Sequence, residues 1–157
     1  MTIRILGIDP GSRITGFGII EIQSRKATYI TSGCIRLKAK AMPVRLNEIF
    51  ESVNEIIEQY QPTILSIEQV FVYRNAASAL KLAQARAVAI VAAMQHSLSV
   101  HEYAPTKIKQ TIVGTGHADK VQIQQMVKLL LNLPGTPQAD AADALAIALC
   151  HSHHSSY

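Results

Sequence analysis

The run Ile3-Arg4-Ile5-Leu6-Gly7-Ile8 ends in Asp9-Pro10-Gly11-Ser12, and that ending limits what the chain can fold into. Isoleucine and leucine favour a strand, whereas Pro10 cannot donate to a ladder and Gly11 supplies turn chemistry, so Asp9 lies where a strand leaves a sheet. An isolated Asp-Pro-Gly often does no more than hydrogen-bond its own turn. Here three further acids, Glu68, Asp140 and Asp143, stand at the edges of other predicted elements and point to a shared site.

The strand pattern resumes over 14–22, where Gly16 and Gly18 at spacing two predict close backbone approach on one face. Ser24-Arg25-Lys26 makes a short polar link to a third strand over 27–37, which completes an antiparallel meander. Pro43 opens a helix over 44–60. Its apolar positions Leu46, Ile49, Phe50, Val53, Ile56, Ile57 and Tyr60 recur at steps of three and four. Thr63-Ile64-Leu65-Ser66-Ile67 then reads as a buried central strand before Glu68. A helix between two strands makes a crossover, and right-handed crossovers run strands parallel, so Asp9 and Glu68 are expected side by side at one end. Open sheets bind their ligands at that end.

A helix over 76–96 follows, apolar or small nearly all round, which predicts packing against the sheet and against a second copy of the chain. Lys81, Gln84 and Arg86 interrupt it and argue against a membrane span. Residues 99–103 suit a short fifth strand, and Pro105 starts a half-turn that presents Lys107 and Lys109. After the link Gly114-Thr115-Gly116-His117, a helix from Lys120 is expected to turn Val121, Met126, Val127, Leu130 and Leu131 inward. Thr136 as N-cap and Pro137 at the first helical position begin the last helix, which carries Asp140 and Asp143. The expected fold is α/β: a five-stranded mixed sheet, antiparallel meander plus parallel strands, flanked by helices in one domain over 1–157.

Asp140 and Asp143 lie three apart on one helix face, where early acids gain roughly 0.3 to 1 kcal/mol from the helix dipole. Their neighbours Ala139, Ala141, Ala142, Ala144 and Ala146 offer no compensating polar group. Acids brought together in such surroundings are costly without a cation, and an all-oxygen set suits hard ions such as Mg²⁺, with Mn²⁺ as a substitute. Two such ions, about 3.5 to 4 Å apart, are able to clamp an in-line phosphoryl displacement. The formal net charge of +4 is compatible with a polyanionic partner. Cys34 and Cys150, with no secretory leader, read as reduced thiols in the cytoplasm.

Gly7-Ile8-Asp9-Pro10-Gly11-Ser12, Ile67-Glu68-Gln69-Val70-Phe71, Leu80-Lys81-Leu82-Ala83-Gln84-Ala85-Arg86 and Asp140-Ala141-Ala142-Asp143-Ala144-Leu145-Ala146 together resemble the RuvC family of Holliday-junction resolvases over essentially the whole chain. The resemblance implies an RNase H-like fold and a homodimer through the 76–96 helix. It implies Mg²⁺-dependent nicking of two opposed strands of a four-way DNA junction, leaving 5′-phosphate and 3′-hydroxyl ends, in recombination and repair. Asp9, Glu68, Asp140 and Asp143 match the family's catalytic, metal-binding acids. Lys109 and Lys120 match basic positions used at DNA, with Lys120 also placed to steady charge at the scissile group. RuvA and RuvB branch-migration proteins are the implied partners.

Phe71, in the loop past Glu68, matches a family aromatic able to stack on an unpaired base. Arg74, Lys81 and Lys107 are further candidates for phosphate contact, and a solvated surface position is the plain alternative for each lysine. His151, His153 and His154 are expected to belong to a frayed tail over 151–157 rather than a zinc site. Two other functions fit parts of the pattern: an RNase H-like nuclease acting on RNA, or a module that binds branched nucleic acid without cutting. An actin-like ATPase would need about twice this length and a second phosphate loop.

Overall fold

A computed structural model of the chain describes residues 1–38, 41–72 and 75–157. Three strands, β1 (Thr2–Asp9), β2 (Ile14–Gln23) and β3 (Lys26–Arg36), precede α1 (Met42–Tyr60) and β4 (Ile64–Glu68). Then come α2 (Ala76–Gln95), β5 (Ser99–Tyr103), α3 (Pro105–Val113), α4 (Lys120–Leu130) and α5 (Ala139–His153). They build the mixed sheet that was expected, in the order β3-β2-β1-β4-β5. β1 pairs antiparallel with β2 and parallel with β4, which in turn runs parallel to β5.

Side chains alternate across a strand, and this alternation sorts the molecule into two cores. Leu6, Ile8, Ile19, Leu65 and Ile67 pack with α1 and α2 on one face. Ile5, Ile20, Ile22 and Ile64 pack with α3, α4 and α5 on the other. Gly7 and Asp9 share the face of Ile5, and Ser66 and Glu68 share that of Ile64. The buried hydroxyl of Ser66 donates to the Ile147 carbonyl of α5 at 2.8 Å, tying β4 to that helix.

α5 lies directly on strand backbone. A Cβ on Gly7 would collide with the Ala144 carbonyl, one on Gly16 with the Asp140 carbonyl, and one on Gly18 with Leu145. The close approach expected at Gly16 and Gly18 is therefore made to α5, and it brings the helix start, with Asp140 and Asp143, over the end of β1.

Several local expectations are corrected. α4 starts at a capping box in which Asp119 accepts from Gln122 N–H and the Gln122 side chain accepts from Asp119 N–H. That start sets the helix phase: Ile123, Val127 and Leu131 point inward at steps of four, while Val121 and Leu130 are exposed. α5 is capped by Gln138, not Thr136, and its first residue is Ala139.

Within the C-terminal segment 151–157, expected as a frayed tail, the helix runs on to His153 and Tyr157 reaches back to His151. His151, only 2% exposed, continues α5, stacks on His101 with ring centroids 4.2 Å apart, and has both nitrogens partnered. Tyr103 Oη lies 2.6 Å from Nδ1 and Tyr157 Oη 2.9 Å from Nε2. Composition hid this, because the partners come from β5 and from the residue six further on.

α2 is long and apolar enough to cross a membrane by length and composition alone. Its Ala85, Ala89, Ala92 and Ala93 are instead buried in the core beneath the sheet. Cys34 and Cys150 are free thiols.

Candidate active site

Parallel pairing of Ile8 with Ile67 sets Asp9 and Glu68 next to each other where β1 and β4 end. The glycine seat of α5 adds the other two acids. One oxygen from each of Asp9, Asp140 and Asp143 lies within 4.8 Å of the others. Glu68 stands outside that trio but lines the same cleft, of about 430 Å³, together with Asp9, Lys109, Asp119, Lys120 and Asp143.

Electrostatics follow from the crowding. The Asp9 carboxyl is pushed up to about 8, first by burial and then by the charges of Glu68, Asp143 and Asp140, with Lys120 opposing. Glu68 is raised to about 7 by burial and by Asp143, against Lys109. Asp143 is also raised, chiefly by burial, while Lys120 and Lys109 pull the other way. Without a cation, burial and mutual repulsion favour the protonated forms of Asp9 and Glu68. The all-carboxylate donors and their mutual repulsion fit a hard divalent ion, which supplies the missing positive charge. The group Asp9, Asp140 and Asp143 accounts for the metal-type cluster found among the described residues.

The cations expected from sequence separate into two sets. Lys109 on α3 and Lys120 at the first position of α4 face into the cleft. Lys81 on α2 and Lys107 on α3 are exposed and do not line it. Phe71 is 47% exposed, three residues beyond Glu68. Arg74, with Tyr73, lies outside the described residues.

Two residues at this site were not singled out from sequence. Arg86 of α2 reaches the end of β4, where its Nε donates to the Glu68 carbonyl at 3.0 Å and its Nη2 pairs with Glu102. Gln138 donates through Nε2 to Asp140 Oδ2 at 2.7 Å. Arg86 looked like an interruption of an apolar helix, and Gln138 was eclipsed by the stronger local cap signal of Thr136-Pro137. An unexplained cation in an otherwise apolar helix was the available clue for the first.

The family described as crossover junction endodeoxyribonuclease RuvC matches residues 5–151. Proteins of that name from Sodalis glossinidius and Pseudoalteromonas atlantica are 61% and 58% identical over 149 residues, which cover 95% of this chain and 86% of each of them. Among solved structures, Thermus thermophilus RuvC in complex with Holliday junction substrate has a TM-score of 0.89 at 31% identity, over 97% of this chain and 94% of that one. The yeast mitochondrial Holliday junction resolvase Ydc2 has a TM-score of 0.69 at 12% identity, a likeness of fold alone.

Proposed function

The chain belongs to the RuvC family of crossover junction endodeoxyribonucleases, and from that premise we propose how its cleft cuts a four-way DNA junction. It is an endonuclease of Holliday junctions with an RNase H-like fold, serving DNA recombination and repair. The residue roles that follow are supported by the trio Asp9, Asp140 and Asp143 and by Glu68, Lys109 and Lys120, which line one cleft with Asp9 and Asp143.

Asp9, Asp140 and Asp143 would hold divalent cation, and Glu68 would complete the set for two Mg²⁺ per subunit, with Mn²⁺ able to replace them. The chemistry supplied to the site would be Lewis-acid charge at the scissile phosphate and a more acidic water. Lys120 steadies negative charge developing on the phosphate, helped by its position at a helix N-terminus. Lys109, opposite Glu68, grips a backbone phosphate as a point charge. Phe71 stacks on a base unpaired at the crossover. Arg74, Lys81 and Lys107 add contacts to the duplex arms that set position but carry no sequence information.

Two subunits joined through α2 present one cleft to each of two equivalent strands, which yields symmetric nicks with 5′-phosphate and 3′-hydroxyl ends. Leu80, Val91 and Met94 of α2 are exposed in the single chain and support that use of the helix. RuvA and RuvB are the partners that deliver the junction, and the free thiols suit the cytoplasm.

The observation that carries the reading is the trio Asp9, Asp140 and Asp143 within 4.8 Å, backed by Lys120. A synthetic four-way junction, a linear duplex and a structured RNA, each incubated with and without Mg²⁺, provide the test. Paired nicks in the junction alone, dependent on Mg²⁺ and lost in Asp9→Asn, are expected. Cutting of RNA would favour the RNA-nuclease reading, and junction binding without any cut would reduce the protein to a recognition module.

A further inference from the structure

The Gln138 side chain makes three contacts at once, and their chemistry leaves it one orientation. Its Oε1 accepts from the Ala141 N–H at 3.0 Å and from the Cys34 thiol at 2.9 Å, while its Nε2 donates to Asp140 Oδ2 at 2.7 Å. Turned over, the amide would set its NH₂ against the Ala141 N–H and its oxygen against a carboxylate, so both the cap and the Asp140 contact would be lost. An exposed glutamine ordinarily samples many rotamers. Here a helix cap, a thiol from the neighbouring strand β3 and an acid of the cluster hold it in one.

Cys34 is fixed in turn by the sheet, because it pairs with Gly16, the strand position on which the Asp140 carbonyl rests. The three residues form a closed circuit: β3 to Gln138 through the thiol, Gln138 to Asp140 through the amide, and Asp140 back to the sheet through Gly16. An aspartate early in a helix is otherwise free to rotate about χ1 and χ2, and each wrong rotamer withdraws an oxygen from the metal set.

We propose that Gln138 is a positioning residue for metal binding: braced by Cys34, it holds the Asp140 carboxylate aimed at Asp9 and Asp143. This rests on the metal-site reading above. Hydrogen-bond partners of ligating carboxylates typically change metal affinity by about 10- to 100-fold, and the tether belongs in that range.

Gln138→Asn separates its two tasks. Asparagine caps a helix at least as well as glutamine, but its side chain is one methylene too short to reach Asp140 Oδ2 while it caps. Mn²⁺ binding to the full chain without DNA is followed by electron paramagnetic resonance, alongside thermal melts and junction cleavage at varied Mn²⁺. Gln138→Asn is expected to melt with the wild type, bind Mn²⁺ about tenfold more weakly, and recover much of its cleavage at high Mn²⁺. Cys34→Ala is expected to weaken Mn²⁺ binding in the same direction, and Cys34→Ser, which keeps a donor toward Oε1, to restore it. Equal Mn²⁺ affinity in wild type and Gln138→Asn would overturn the tether alone. A wild-type chain whose Mn²⁺ binding is indifferent to Asp9→Asn would overturn the metal-site reading, and the tether with it.

Discussion

Arg86 holds the backbone of Glu68: its Nε donates to the Glu68 carbonyl at 3.0 Å while Nη2 pairs with Glu102 on the adjacent strand. The last peptide of β4 has run out of ladder partners on one side, so the guanidinium supplies the donor that the sheet does not. It also couples α2, the proposed subunit interface, to an acid of the cleft. Lysine carries the charge but lacks the fork needed to serve both acceptors. Arg86→Lys is therefore expected to lower junction cleavage by about tenfold or more, in the range of other residues that orient metal ligands. Cleavage at the wild-type rate in saturating Mg²⁺ would show that β4 ends correctly without it.

The acids make stability depend on pH in a way that metal reverses. Asp9 and Glu68 are raised in the fold to about 8 and about 7 from ordinary values of 3.8 and 4.5. Between those limits the folded chain keeps protons that the unfolded chain has lost. Stability from this source is present in acid and disappears as pH rises toward 8. Thermal melts of metal-free protein are expected to fall between pH 6 and 8.5, and Mg²⁺ is expected to raise the melting temperature more at pH 8.5 than at pH 6. Asp9→Asn removes one of the charges and flattens the decline. His151 acts oppositely, since its folded value is lowered to about 4 from 6.5, mainly by burial, so its contribution is lost as pH falls through that range.

Gly16 tests the seat of α5. Alanine there meets the Asp140 carbonyl and forces the helix start off the sheet. Gly16→Ala is expected to cost about 1 to 3 kcal/mol in denaturant unfolding, as overpacking does, and to abolish Mn²⁺ binding even where the protein is folded. A folded variant that binds Mn²⁺ normally would mean that the acids do not depend on this contact.

Phe71 is judged by a divided outcome. Loss of a base-stacking ring is worth about 1 to 3 kcal/mol, so Phe71→Ala is expected to lower kcat/KM on the junction by about tenfold. Mn²⁺ affinity should not change, because the ring lies beyond the acids. Equal cleavage by both forms would remove the ring from the recognition surface.

The β2–β3 hairpin offers a stability gain remote from the cleft. Ser24 and Arg25 both take left-handed backbone, with φ of 50° and 66°, in a two-residue turn that favours Asn-Gly. Ser24→Asn combined with Arg25→Gly is expected to add about 1 kcal/mol, a rise of about 2 to 4 °C in Tm, without altering cleavage.

Sequence patterning carried the strands and the pairing of Asp9 with Glu68, because alternation and a crossover leave few arrangements. It carried the acids of α5 as well, since two carboxylates among alanines have no local partner. It missed what depends on a distant neighbour. Gln138, which caps through the Ala141 N–H where Thr136 was expected, is also held by the Cys34 thiol, a contact no local pattern reveals. His151 looks like part of a polar tail until Tyr103, His101 and Tyr157 close around it. The phase of α4 follows its capping box, and reading its apolar residues as one stripe turned Val121 and Leu130 the wrong way.

The division of the sheet into a side for Leu6 and Ile8 and a side for Gly7 and Asp9 makes the chemistry sensitive to counting. Deleting or inserting a single residue in β1 upstream of Asp9 would slip the frame by one. The carboxylate would then be carried beneath the sheet into oil, and its place where the cation is held would pass to Ile8 after an insertion or to Pro10 after a deletion. Such length changes are harsher than any substitution of the same residues, and viable relatives are expected to vary this strand in composition while conserving its length.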